Sequence, residues 1–417
     1  MRAVLTLVAG GAIAQALPLL LGPWLTRLYS PQQFGVYHLF AAVSANLAVV
    51  ACARYEFALP LLGDAADAAA LRALCLRVLA GVTLASALAS ALWFALSASG
   101  WTLWLPVAVG VLGWLSLATL WATRAQAYRA LAVARVVQYG GASLAQAGAA
   151  LLGAGVQGLV VAPIAAAAAA AAVLRLPLSG DARPAPDRWR ALARRFRDFP
   201  LLNTPHAFMG ALQDTVSIAL IAAWQGPVAA GFWGLSLRYL KAPATLVGGA
   251  VSQALYPQLA AHGASADRDA SHDAKEHAPL RVTREGRAAV RRVMAGLAAL
   301  ALPLVLLLWA FAPWAFERLF GHDWRGAGEL ARTLGLYIGV HFVAAPLAVV
   351  TLAWGAQAWA LRLALVGQVA FVAALAAGLQ LGGLPGAGWG VSIAMTLYFG
   401  YYFLRLATWP LTEREHA

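Results

Sequence analysis

Residues 293–313, VMAGLAALALPLVLLLWAFAP, form an uncharged run between Arg291-Arg292 and the polar Glu317-Arg318. At about 1.5 Å rise per residue, a helix of that length spans roughly 30 Å, the thickness of a bilayer's hydrocarbon core. Similar apolar stretches fall at about 3–25, 35–60, 73–98, 102–122, 136–153, 157–176, 200–224, 229–255, 330–354, 363–380 and 387–408. The expected fold class is an all-α polytopic membrane protein with twelve transmembrane helices. Composition agrees: of 417 residues, 62% are apolar and 11% charged, with a mean hydropathy of +0.71. Soluble domains sit near ~45–50% apolar and ~25% charged, so a water-soluble protein is excluded.

The net charge of +13 has a topological reading. With both termini cytoplasmic, 23 basic residues fall on that side, and only Arg27, Arg318, Arg325 and Arg332 fall outside. This positive-inside ladder removes the need for a nucleic-acid partner. Arg2 and Ala12-Ile13-Ala14 imitate a cleaved leader, but the apolar run continues to Trp24, so the segment is read as the first span. Cys52 and Cys75 lie in or beside apolar segments and read as small buried hydrophobes.

A weak internal repeat pairs Gly35-Val36-Tyr37, opening the second span, with Gly231-Phe232-Trp233, opening the eighth. Gly155-x-x-Gly158 and Gly386-x-Gly388 open the sixth and twelfth spans in the same way. The expected organisation is an N-terminal six-helix lobe over 1–178, a basic linker over 179–199 and a C-terminal six-helix lobe over 200–417. Two lobes of equal orientation make a parallel repeat, with a substrate site between the halves. Ala165 to Ala172, eight alanines in a row, suit close helix packing.

Several motifs dissolve on inspection. Gly153-Ala154-Gly155-Val156-Gln157-Gly158 matches a dinucleotide fingerprint by letter, yet it joins two membrane helices rather than a strand and a helix. No phosphate-cradling loop ending in Gly-Lys-Ser/Thr occurs, so no nucleotide motor is expected. His262, Asp267, Asp269, His272, Asp273, Glu276 and His277 lack metal-ligand spacing and read as a solvated loop, so no metal is expected. Ser30-Pro31-Gln32-Gln33 is a helix start with a capping box. From Asp187 to Phe199, Trp189, Leu192, Phe196 and Phe199 recur at helical spacing among Arg188, Arg190, Arg194, Arg195 and Arg197. This predicts an amphipathic helix lying on anionic headgroups as a topology anchor, with capture of a lipid phosphate as the alternative.

PWLTRLYSPQQFGVYHLF at 23–40 and RYEFALPL at 54–61 resemble the start of the lipid-linked polysaccharide flippases of the O-antigen type. RFRDFPLLNTPHAFMGALQD at 195–214, AAGFWGLSLRYLKAPATLVGGAVSQALYPQLA at 229–260 and FGHDWRGAGELA at 320–331 continue the likeness in order. That family shares a superfamily with multidrug extruders and lipid II flippases. The resemblance implies a V-shaped two-lobed carrier in the bacterial inner membrane. It would alternate in access and move an undecaprenyl-diphosphate-linked oligosaccharide to the periplasmic leaflet. It also implies a proton or sodium gradient rather than a cofactor, and polysaccharide polymerase machinery as partner.

Ionisable groups inside the bilayer are costly and therefore functional candidates. Asn203, His206, Gly210, Asp214 and Ser217 share one stripe of the seventh span, and Gly231, Gly234, Arg238, Lys241, Thr245, Gly249 and Ser252 share one of the eighth. Pro243 should kink the latter. Asp214 and Arg238 each lie twelve residues from Gly226, which predicts matching depth and a salt bridge that a substrate diphosphate displaces. Arg238 and Lys241 are the expected substrate-binding cations, with Asp214 beside them. On the wheel of the second span, Glu56 falls with His38, Asn46 and Ala53 and is the expected ion-coupling carboxylate together with Asp214. Arg54 has two readings: the resemblance makes it a substrate ligand, the wheel an interfacial anchor. Two other functions compete. A drug or metabolite extruder should prefer an acidic cavity, and a membrane-embedded glycan polymerase needs larger outer loops than 314–329. The chain is therefore read as a carrier and not an enzyme.

Overall fold

The computed structural model describes residues 2–97, 99–176, 186–265 and 282–411. The acidic and histidine-bearing stretch 266–281 and the first part of the linker, 177–185, lie outside the described residues. The described residues form helices joined by short turns, with no strand among them. Seven stretches are long and apolar enough to cross a membrane: 65–97, 100–124, 155–174, 199–259, 284–320, 335–353 and 357–407. Two of these are broken internally by glycine. Gly226 adopts φ 83° and ψ 174°, and Gly383 φ 59°. Both backbone conformations lie where a Cβ is strained.

By internal contacts the chain forms two compact units, Met1–Gly231 and Phe232–Ala417. The segment 204–231, which the sequence assigns to the second lobe, belongs to the first unit. That unit holds α1 (Arg2–Leu28), α2 (Pro31–Val49), α3 (Ala65–Ser97), α4 (Leu105–Arg124), α5 (Tyr128–Leu151), α6 (Gly155–Leu174) and α7 (Pro186–Arg195). It also holds most of α8 (Thr204–Leu240). The capping box forms as read: the Gln33 N–H donates to Ser30 Oγ at 3.3 Å, and the Ser30 N–H donates to Gln33 Oε1 at 2.9 Å. Buried Gln146 of α5 donates to Leu159 O at 3.0 Å, and the Tyr29 hydroxyl donates to Gln146 O at 2.7 Å. These bonds tie three neighbouring segments together without leaving a buried amide unsatisfied. Ala167 and Ala170, from the alanine run, are fully buried in this packing. Cys52 and Cys75 are free, buried members of the same core.

The repeat-related glycines meet inside this unit. A Cβ built on Gly35 would lie 3.0 Å from Gly231 N, and one built on Gly231 would lie 3.2 Å from Gly35 N. Farther along α2, Thr215 Oγ1 donates to Ala42 O at 3.1 Å, and Asn46 Nδ2 donates to Thr215 Oγ1 at 3.2 Å. Small residues let the two backbones approach, and polar side chains pin their register.

The second unit is built from α9 (Ala242–Ser265), α10 (Arg284–Phe320), α11 (Arg325–Thr333), α12 (Gly335–Ala353) and α13 (Gln357–Ala407). Its core gathers Leu255, Leu259, Val290, Leu297, Leu347 and Leu406. Ser392 Oγ donates to Thr333 O at 2.6 Å, fixing short α11 on α13.

Candidate functional site

The connector after α2 differs from the helical wheel. The helix stops at Val49, and Ala53 and Arg54 take left-handed φ values of 48° and 61°. A short 3-10 turn, Tyr55–Leu61, follows. No glycine announces this reversal, so extrapolating an α-helix to position 56 misplaces its side chain. Glu56 does not continue a stripe with His38 and Asn46. It turns into the protein, 2% exposed, where Ser116 Oγ donates to its Oε1 at 3.3 Å. Its Oε2 is buried with no hydrogen-bond partner among the described residues.

Arg54, in the same turn, is only partly buried. Its Nε donates to Asn203 Oδ1 at 3.2 Å, and its guanidinium lies 4.1 Å from the centre of the Phe57 ring. Asn203 was legible only as a member of the seventh-span stripe; its pairing with Arg54 joins residues far apart in sequence. On that stripe Asn203, His206, Gly210 and Asp214 are exposed, and Ser217 is buried.

The linker helix α7 forms where the amphipathic pattern placed it, but its apolar face lies on protein. Leu192 is 4% exposed, and Trp189, Ala193, Phe196 and Phe199 pack against the core that contains Leu71 and Cys75. The Tyr55 hydroxyl donates to Ala193 O at 3.3 Å. Arg188 pairs with Asp64, and with Asp67 at 2.7 Å, while Arg77 lies over the Trp189 ring at 4.9 Å. Arg190, Arg194, Arg195 and Arg197 remain exposed. A 3.6-residue period reports an apolar face without saying whether lipid or protein covers it.

Arg238 stands in the last turn of α8, and Lys241 at the bend between α8 and α9, two residues before Pro243. Both are half-buried. The predicted kink is therefore present, and it puts both cations beside a helix interruption. A cavity of ≈470 Å³ at the α4–α5 turn is lined by Gln126 to Ala130 with Val133 and Val173. None of the predicted site residues lines it.

Helices of this length and apolarity define a multi-pass membrane protein. Residues 24–329 match the polysaccharide biosynthesis protein family, and the chain belongs to that family. Its fold is similar to that of a multidrug resistance MATE family transporter of the MOP superfamily, solved in an inward-facing conformation (TM-score 0.66, 14% identity, 95% of this chain and 93% of that one). The lipid II flippase MurJ in an inward closed conformation matches with TM-score 0.66 and 10% identity, over 95% of this chain and 89% of MurJ. An outward-facing MATE transporter of the same superfamily matches at 0.56 with 15% identity, over 97% and 94%. No curated protein matches the chain by sequence.

Proposed function

We propose that the protein is a secondary-active flippase moving a polyprenyl-diphosphate-linked oligosaccharide across the bacterial inner membrane for polysaccharide synthesis. The family match over 24–329 carries this reading. The fold likeness to MurJ supports it, as does the pair of cations at the α8–α9 bend. The breaks at Gly226 and Gly382-Gly383 support a reading of twelve spans, and the charge ladder supports one with both termini in the cytoplasm. Arg238, Lys241 and Arg54 bind the diphosphate; Arg suits this work because its planar fork contacts two phosphate oxygens at once. Glu56 and Asp214 carry the coupling to a proton or sodium gradient, and polymerase machinery takes the glycan on the far side.

In cells whose surface glycan depends on this chain, Arg238→Ala and Arg238→Lys should both abolish glycan export while the protein still inserts. Normal export by Arg238→Lys would remove the bidentate role. Glu56→Gln should lose gradient dependence; unchanged dependence would remove Glu56 from coupling. The MATE likeness favours a second reading, a cation-drug extruder. That reading predicts gradient-driven efflux of a cationic dye, with glycan export untouched by loss of the protein.

A further inference from the structure

Arg72 lies about two turns into α3 and is 6% exposed. Its Nε is buried with no hydrogen-bond partner, and no carboxylate pairs with it among the described residues. The guanidinium sits over the Trp121 ring of α4, 5.1 Å from its centre. Arg124 stands 5.9 Å from the same ring, its Nε donating to Leu62 O at 3.0 Å and its Nη2 to Gly63 O at 3.1 Å. Asp64 and Asp67, at the same end of α3, pair with Arg188, and Glu56 receives its hydrogen bond from Ser116.

Two guanidiniums therefore lie near one indole, and among the described residues no carboxylate pairs with either. A buried cation needs more compensation than a single ring contact returns. The position says what supplies it. Arg72 precedes the apolar stretch 73–98, and Trp121 and Arg124 close 102–122, on the face that the charge ladder assigns to the cytoplasm. Trp and Arg at that level meet phosphate headgroups.

We propose that Arg72, Trp121 and Arg124 form a binding site for the phosphate of one anionic phospholipid, wedged between α3 and α4. The lipid phosphate accepts from the Arg72 guanidinium, whose Nε is unpartnered, and its single negative charge offsets part of the positive charge of the pair, locking the ends of the two helices together. This site is separate from Arg238 and Lys241 and does not depend on the transport reading.

The test uses the full chain, purified in a neutral detergent and stripped of lipid. Bound lipid is counted by native mass spectrometry and melting is followed while phosphatidylglycerol, phosphatidylcholine, a polyprenyl phosphate or inorganic phosphate is added. Phosphatidylglycerol should bind and raise the melting midpoint of the wild type, with Arg72→Gln losing at least one bound lipid and most of that rise. Arg72→Lys, which keeps the charge but not the fork, should bind phosphatidylglycerol about fivefold or more weakly. It stands in should Arg72→Gln fail to fold. Equal binding and equal melting shifts in wild type and variant would overturn the site. A full shift from inorganic phosphate alone would overturn a lipid as occupant. Tighter binding of the polyprenyl phosphate than of phosphatidylglycerol would reassign the same phosphate chemistry to the carrier lipid and overturn the phospholipid.

Discussion

Replacing Gly35 by alanine should force α2 away from α8. The new Cβ would lie 2.6 Å from the carbonyl carbon of Pro227 and 3.0 Å from Gly231 N, where ordinary contact begins at 3.4 Å. The Pro227 carbonyl oxygen lies closer still, and all these obstacles are backbone, so no side chain can rotate aside and the helices must separate by about 1–2 Å. Overpacking of this kind costs about 1–3 kcal/mol, and a rigid backbone obstacle belongs at the upper end. In a unit of this size each kcal/mol lowers the melting midpoint by about 2–4 °C, which makes the expected drop about 6–12 °C. Heating the detergent-solubilised protein and measuring the surviving monodisperse fraction reads that drop. Gly231→Ala meets the same contact from the other side, 3.0 Å from the Pro31 carbonyl carbon. The double variant should therefore lose less than the sum of the singles. Gly81, inside α3 with nothing within 4 Å of an added Cβ, is the control. Its alanine variant should melt no lower than the wild type, since alanine favours a helix interior by up to ~1 kcal/mol. Wild-type melting by Gly35→Ala would refute the close contact between the two repeat-related glycines.

Leu192→Ala should cost about 2–4 kcal/mol and expose α7 to proteases, because its side chain is in the core. Arg188→Ala should cost far less, since Arg188 meets Asp64 and Asp67 at the solvent-exposed surface, where ion pairs return little. Equal effects of the two would mean that charge, not packing, docks the linker. A reporter active only in the periplasm should work when fused after Gly226 and fail when fused after Ala417; activity at Ala417 would reverse the topology.

Membrane helices, the Ser30 cap, the reversal at Gly226 and the bend near Pro243 were legible because each has a local chemical cause. Apolar length, a capping hydroxyl, a glycine and a proline announce themselves to a reader of one strand of text. The turn at Ala53-Arg54 does not, because its left-handed backbone is borne by residues that normally avoid it and is held by contacts made elsewhere. Arg54–Asn203 and Arg72–Trp121 are likewise tertiary pairs without a sequence spacing to betray them. The linker shows the same limit: its period was right, but the surface that covers Leu192 is made of side chains from α3 and its neighbours.

Transbilayer movement of the glycan lipid itself tests the central claim. The purified chain is placed in phosphatidylglycerol-containing vesicles with a fluorescent polyprenyl-diphosphate oligosaccharide confined to one leaflet. A membrane-impermeant glycosidase on the other side then reports arrival. Wild-type vesicles should deliver the glycan faster than protein-free ones and faster still under an ion gradient, and Arg238→Ala vesicles should match the protein-free rate. A wild-type rate equal to that of protein-free vesicles would contradict the flippase assignment.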